Sequence, residues 1–412
     1  MLCSNFCLFH GQIMSVRLST NFPLTVAMRF NQSRKSILCL ESIAKLAVVF
    51  CVLPNCEFKN RPLHQHMFLK FYTLIIISVV FGTSVYSIYS RYTNAEEIYG
   101  NIGAVVKFLD ICSELFALLL FLIAAFGSIS RKAIKWNELI QKFVSLEDSQ
   151  NLNTEETKDF SFFSNASSMF IISSFAHFVL WYLETVYNPA GSMTVIRYYG
   201  VNCFLTYAEL FHINIISNLF ICIKRKYEDV NEIVMRNDTD IFNITQRIKI
   251  VERLYSEMDT ITILVNEWYG WIFLAMFSQI IMMILHTLTS PISLYYLSSN
   301  KMEIWSEAQI LHIIYGIFSI FQIVVIFIMI FCIDSATREP QKLVNFCVNL
   351  ECKYPDRYEQ NKRIRSAVEK LEYLSPKFTA ADFFQITRST LLSILSVITT
   401  YLIVILQLHI DD

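Results

Sequence analysis

Seven long apolar runs alternate with polar segments along this chain: Phe71 to Tyr89, Val105 to Gly127, Ser168 to Tyr187, Tyr198 to Ile223, Trp268 to Leu288, Ala308 to Ile333 and Thr390 to Leu408. Each is long enough to cross a hydrocarbon layer of about 30 Å as an α-helix. Backbone groups in such a layer must bond within their own segment, so helix is the form these runs predict. Between the spans the pattern changes. Ile244, Ile248, Val251, Tyr255 and Met258 recur every three or four residues on a charged stretch, predicting a helix with one apolar face. Ile364, Val368, Leu371 and Leu374 repeat the pattern between Pro355 and Pro376, which stand where helix boundaries are expected. Those faces require cover, either an anionic lipid surface or a helical bundle outside the membrane, and the bundle is the preferred expectation. No longer internal repeat is present, so a solenoid or propeller is not expected.

Composition supports the same class. The chain has 412 residues, 54% hydrophobic and 17% charged, with a mean hydropathy of +0.44, which sets it apart from soluble globular domains. Its first thirty or so residues lack the unbroken apolar stretch of a signal peptide, and Met14 and Met28 are alternative starts. The predicted fold is an all-α membrane protein with seven transmembrane helices and cytosolic helical extensions.

Charge gives the orientation. Segments 1–70, 128–167, 224–267 and 334–389 hold thirty of the 34 Lys and Arg residues. The alternate segments hold Arg91, Arg197 and Lys301, and Lys107 lies within the second span. By the positive-inside rule the N-terminus is inside and the C-terminus outside, opposite to a G-protein-coupled receptor. All four glycosylation sequons, at Asn31, Asn165, Asn237 and Asn243, then fall inside, where they stay unmodified. None of the eleven Cys falls in an outer loop, so no extracellular disulfide is expected. Cys347 and Cys352 have no second Cys/His pair nearby, and no metal site is expected there. Nucleotide-binding, hydrolase and zinc-protease signatures are absent. The chain reads as a non-enzyme without cofactor or nucleic-acid partner.

Ionisable and polar residues inside spans are functional candidates by default. The second span carries Lys107, Asp110 and Glu114 on one face, and the third carries His177, Trp181 and Glu184. The fourth opens with Arg197, Tyr198 and Tyr199 and then presents Asn202, Thr206 and Glu209 on one face. Gln279 and His286 lie on the fifth; Trp305, Glu307, Gln309, His312 and Tyr315 lead into the sixth. Five spans thus concentrate polar and aromatic groups in their outer halves, which predicts an outward-opening pocket for a small molecule. The plainer alternative is internal pairing, such as Lys107 with Asp110, or a satisfied interior histidine at His177.

The last span carries the most specific pattern. Ser389, Ser393, Ser396, Thr400, Ile403 and Gln407 step by 4, 3, 4, 3 and 4, placing five hydrogen-bonding side chains on one helix face. Such a stripe serves either a helix–helix interface or an aqueous pathway. The string Thr400-Tyr401, five apolar residues, Gln407 and Leu408 closely resembles the Thr-Tyr-(five apolar)-Gln-Phe signature of insect gustatory receptors, with Leu408 in place of Phe. Phe383 to Leu392 resembles that family's run into its last helix, and Ser42 to Leu46 with Leu53-Pro54 its pre-membrane segment.

The resemblance implies a tetrameric, ligand-gated, non-selective cation channel in the plasma membrane of sensory neurons. It assigns the pore to Ser393, Ser396, Thr400, Ile403, Gln407 and Leu408, and it assigns the assembly, homomeric or heteromeric, to cytosolic helices. Leucine can close a gate by dewetting as phenylalanine does. Sugar-receptor members commonly carry Glu after the Tyr, whereas this chain has Leu402, which points to a bitter or other deterrent tastant. Ligand candidates are Asp110, Glu114, His177, Trp181, Glu184, Asn202, Thr206, Glu209, His286, Gln309, His312 and Tyr315. The expected organisation is a cytosolic segment at 1–70, a six-helix ligand-binding region at 71–333, a cytosolic anchor at 334–389, and the pore helix with a short outer tail at 390–412. An odorant receptor subunit or a secondary transporter is the alternative. Transporter repeats usually pair Gly/Pro-interrupted helices; here Gly82, Gly200, Gly270 and Gly316 are scattered and Pro is assigned to loops.

Overall fold

The computed structural model describes residues 43–54, 67–94, 104–149, 161–187, 192–235, 241–297, 305–353 and 358–410, with the backbone alone described at several helix ends. Nine long helices follow one another among these residues. They are α1 (Met67–Thr93), α2 (Ala104–Ile129), α3 (Lys132–Ser149), α4 (Ser161–Tyr187), α5 (Ser192–Met235), α6 (Ile241–Leu297), α7 (Trp305–Lys353), α8 (Tyr358–Tyr373) and α9 (Arg388–Ile410). Six of them, α1, α2, α5, α6, α7 and α9, are long and apolar enough to cross a membrane, and Phe170–Val186 within α4 is a shorter apolar helix.

Burial separates the centre from the rim. In the apolar windows of α5 and α6, 72% and 67% of residues are buried, against 22% in α1 and in α9. The large side chains of α1 that face outward, among them Phe71, Ile75, Val79 and Tyr86, therefore lie on a lipid-type surface rather than in a core. Helices α5, α6 and α7 run well past their apolar windows, and α8 packs on α6 and α7 at that end. Ile248, Val251, Tyr255 and Met258 of α6 are buried there, as are Ile364, Leu371 and Leu374 at α8. The amphipathic faces thus cover one another within the chain. Tyr255 donates to Asn231 Oδ1 at 2.6 Å, and Asn231 Nδ2 donates to the Glu339 carbonyl at 3.0 Å, joining α5, α6 and α7.

Three elements differ from the sequence pattern. Pro291 lies inside α6 and Pro340 inside α7 rather than in loops. Packing on α5, α6 and α8 holds α7 through the missing N–H, a local cost that tertiary contact can override. Helix α3 fills the segment after the second span and packs mainly on α6, with Trp136, Leu139, Ile140 and Phe143 buried. Residues 43–54, before the first span, are also engaged with the bundle. Phe50 packs on Phe204, Tyr207 and Phe211 of α5, and Tyr72 of α1 donates to the Val49 carbonyl at 3.0 Å.

A two-residue hairpin, β1 (Thr379–Ala380) with β2 (Phe384–Gln385), leads into α9. Ala381 and Asp382 take positive φ, 49° and 61°, a left-handed turn that is strained for alanine and more readily adopted by aspartate. Gly270 of α6 permits its close approach, because a Cβ there would stand 3.1 Å from the Ala381 nitrogen. Asn266 clamps the hairpin, donating to the Lys377 carbonyl at 2.8 Å and accepting from the Thr379 N–H at 3.1 Å. Asp334 of α7 holds the start of α9. It accepts from the Arg388 N–H and lies 2.7 Å from Arg388 Nε and 2.8 Å from Arg338 Nε. An acid beside a helix N-terminus also complements the helix dipole.

Candidate functional site

Three features of the chain invite a functional reading: a cavity between helices, an ion cluster beside it and the face of α9. The cavity has a volume of about 90 Å³ and is lined by α2, α4, α5, α6 and α7, the same five spans that carry the intramembrane polar residues. That space exceeds several times what one water needs.

Its walls can be built helix by helix. From α2 come Asp110 and Ser113, one turn apart. Helix α4 supplies His177, Leu180, Trp181 and Glu184 at a spacing that keeps them on one face. Helix α5 adds Tyr199, Asn202, Cys203 and Thr206; α6 adds Gln279, Met283, His286 and Thr287; α7 closes the ring with Ile314 and Phe318. His177 is held between neighbours. Its ring stacks on Tyr207 with centroids 5.6 Å apart, and Nε2 lies 3.5 Å from Cys203 Sγ. Tyr207 is itself fixed by a 3.3 Å hydrogen bond to Ser174 Oγ.

The ion cluster backs the Asp110 wall. Arg91, fully buried near the end of α1, donates through Nη1 to Asp110 Oδ2 at 2.5 Å and through Nη2 to Glu114 Oε2. Tyr199 lies over the guanidinium with its ring centroid 4.9 Å from Cζ, and its hydroxyl is 3.5 Å from Asp110 Oδ2. His286 Nε2 stands 3.9 Å from Asp110 Oδ1. The Ser87 hydroxyl is 2.5 Å from the Tyr198 carbonyl and 3.3 Å from Glu114 Oε2. One guanidinium therefore joins α1, α2 and α5, while Asp110 also reaches the cavity. A buried charge requires this density of partners to offset its lost hydration.

The structure thus sorts the sequence candidates. Asp110, His177, Trp181, Glu184, Asn202, Thr206 and His286 share the cavity wall. Glu114 instead pairs with Arg91, and Glu209 is buried one turn beyond Thr206 without lining the space. The side chains of Gln309, His312 and Tyr315 lie outside the described residues. Arg91, counted by charge as a loop residue, belongs inside helix α1, because that helix continues past Tyr89. Its carboxylate partner Asp110 is thus bound across helices, whatever Lys107 one turn away contributes. The sequence did contain a signal: Thr73, Ile77, Val80, Ser84, Ser87 and Arg91 step by four and three and form one buried seam.

On α9 the exposed and buried residues separate by face. Leu391, Ile398 and Ile405 are buried on the rest of the chain. Ser393, Ser396, Thr400, Ile403 and Gln407 are all exposed in the single chain, as is Tyr401. The Thr400 hydroxyl donates back to the Ser396 carbonyl at 2.8 Å and that of Ser393 to the Ser389 carbonyl at 3.2 Å, which satisfies them locally along the stripe. The Leu408 side chain lies outside the described residues. Among the described residues no group of three or more His, Cys, Asp or Glu is arranged to hold a metal ion.

Comparison with known proteins adds three findings. A family model described as 7tm chemosensory receptor matches residues 40–412. The structure is similar to that of the insect olfactory receptor OR5 from Machilis hrabei, with a TM-score of 0.58 at 14% identity, covering 92% of this chain and 99% of that one. It is also similar to the same receptor in complex with eugenol, with a TM-score of 0.56 at 12% identity and the same coverage. No curated protein matches.

Proposed function

The chain belongs to the 7tm chemosensory receptor family, and from that premise we propose that it is a gustatory receptor acting as a tastant-gated, non-selective cation channel for bitter or deterrent compounds. Its site is the plasma membrane of sensory neurons, and its working form is a homo- or heterotetramer with related receptors. The observation that carries this reading is the disposition of α9. Every described member of its polar stripe lies on the face its own chain leaves uncovered, and a narrow apolar seam ties the helix to the bundle. Four such faces around an axis give a polar-lined path with Gln407 and Leu408 at its constriction. The cavity between α2, α4, α5, α6 and α7 serves as the tastant pocket, because it gathers polar and aromatic side chains from five spans around one space. The odorant-receptor reading draws on the olfactory identity of those solved structures. The Thr400-Tyr401 to Gln407 string favours the gustatory one.

The reading is tested by calcium imaging of cells expressing this chain alone, challenged with plant bitters and sugars. A cation influx evoked by a bitter and not by a sugar supports it. In the same cells Gln407→Ala is expected to raise basal leak or change relative cation permeability severalfold while surface delivery is kept. Currents unaltered by Gln407→Ala and by Leu408→Ala place the constriction elsewhere.

Orientation has its own test. The basic residues concentrated in segments 1–70, 128–167, 224–267 and 334–389 place the N-terminus in the cytosol. An epitope tag before residue 1 is expected to bind antibody only after permeabilisation. Labelling of intact cells, or a glycan at Asn237 or Asn243, reverses the assignment.

A further inference from the structure

We infer that the cavity selects a small ligand whose polar group both donates and accepts hydrogen bonds, as a carboxamide or lactam does, on an aromatic body. The inference rests on reading this cavity as the ligand pocket and adds the chemical class of what enters it.

Much of the wall is already committed. Asp110 holds Arg91, and Glu184 and Tyr199 likewise interact within the chain. The hydroxyls of Thr206 and Thr287 each donate back along their own helix at 2.9 Å, to the carbonyls of Asn202 and Met283. Among the described residues of the wall, four others keep a buried side-chain atom without a hydrogen-bond partner. They are Gln279 through Oε1, Asn202 through Oδ1, His177 through Nδ1 and Trp181 through Nε1. Gln279 and His177 are 1% and 2% exposed, so bulk water does not reach them. Unpaired polar atoms at that depth are costly, and the occupant of the cavity decides whether that cost is offset.

What these four side chains can bond fixes the ligand class. An amide carries a carbonyl oxygen and an NH2 group, and a half-turn about its last bond exchanges them. Gln279 and Asn202 can therefore each present either one. His177 Nδ1 donates in one tautomer and accepts in the other, with Nε2, 3.5 Å from Cys203 Sγ, taking the opposite role. Trp181 Nε1 is a donor alone. The wall thus offers donors and acceptors together. A ligand that only accepts leaves carbonyl oxygens unpaired, and one that only donates leaves the Trp181 N–H unpaired. Water does both, so a ligand that displaces it has to reproduce both kinds of bond or lose affinity. An analogue lacking one kind is rejected because it strands buried polar groups of the wall. Leu180, Met283, Ile314 and Phe318 supply the apolar surface that an aromatic body covers.

The test is equilibrium binding to the purified full-length chain in nanodiscs, with empty nanodiscs subtracted, using three probes of one shape. Benzamide donates and accepts, acetophenone accepts without donating, and α-methylstyrene does neither. Benzamide is expected to bind about tenfold tighter than acetophenone, and acetophenone tighter than α-methylstyrene. In the double variant Gln279→Met, Asn202→Leu, which keeps similar volumes, the preference for benzamide is expected to fall to about threefold or less. Acetophenone or α-methylstyrene binding the wild-type chain as tightly as benzamide overturns the inference. So does a preference unchanged in the double variant, or binding of no probe. Should the double variant fail to fold, the wild-type series decides the class and the single substitutions locate it. Met283→Trp fills the cavity and tests the pocket reading itself, with loss of all three probes expected. Undiminished binding in Met283→Trp would place the pocket elsewhere and remove this inference with it. Loss there, with no preference for benzamide in the wild type, would keep the pocket and retire the class alone.

Discussion

Arg91→Met is expected to lower the stability of the folded chain by about 3–5 kcal/mol, more than any other single substitution considered for this bundle. The guanidinium is fully buried and holds Asp110 and Glu114 of α2 from its place on α1. Removing it leaves two carboxylates facing each other across less than two helical turns, with Ser87, Tyr199 and His286 unable to neutralise them. The methionine stem keeps most of the volume, so the effect is electrostatic rather than a packing void. The measurement is the thermal unfolding midpoint of purified protein, together with the fraction delivered to the surface. The triple variant Arg91→Met, Asp110→Asn, Glu114→Gln separates charge from shape. Because it removes all three charges together, it is expected to recover most of the loss, to within about 1–2 kcal/mol of wild type. A midpoint unchanged in Arg91→Met would mean that the cluster is not what joins α1 to α2.

Why this cluster was only half visible in the sequence is instructive. Asp110 and Glu114 stand out because a carboxylate inside an apolar run has no ordinary reason to be there. Arg91 does not, because it sits just past the apolar run, where cationic side chains are common and are counted as loop charge. The helix nevertheless continues to Thr93, and the small polar residues Ser84 and Ser87 lead to Arg91 along one face. Periodicity carried beyond the hydropathy boundary identifies it. The same holds at the cavity. The charged and aromatic members of α4 and α5 were legible by spacing, whereas Ser113, Cys203, Met283, Thr287, Ile314 and Phe318 resemble any helix interior until the packing brings them together. Hydropathy also stops short of the long helices. Tyr227, Tyr255 and Trp136 are fully buried but lie outside the apolar runs Val105 to Gly127, Tyr198 to Ile223 and Trp268 to Leu288. The two apolar faces of the sequence pattern, on α6 and α8, are both buried because an apolar stripe on a charged helix has to be covered. Glu114 and Glu209 show the converse limit: face and depth were readable, but the partner or its absence was not.

Asp334→Ala is expected to loosen α9 at its start while leaving the rest of the bundle folded. Asp334 is buried, and it gathers the Arg388 N–H, the Arg388 side chain and Arg338 at the junction of α7, the hairpin and α9. Both arginines are substantially exposed, 46% and 61% at the side chain, so solvent takes up their charge when the acid is removed. The cost is therefore smaller than at Arg91, about 1–3 kcal/mol, set mainly by the lost hydrogen bond at the first N–H of the helix and the lost dipole complement. Asp334→Asn keeps an acceptor without the charge and is expected to fall between the two. Hydrogen exchange resolves the effect by position. Amides from Phe378 to Leu392 are expected to exchange about tenfold faster or more in Asp334→Ala, by the free energy just given, while those of α5 and α6 keep their protection. The hairpin supplies the control: Asn266→Ala cuts the clamp at Lys377 and Thr379 and should speed the same amides without touching Asp334. Uniform loss of protection across α5, α6 and α9 would instead make Asp334 a global stability residue. The seam at Leu391, Ile398 and Ile405 is narrow, so this junction with α7 and the hairpin is a main anchor of the last helix. On the proposed channel reading, Asp334→Ala is expected to raise basal opening, and an unchanged basal current would separate this junction from the gate.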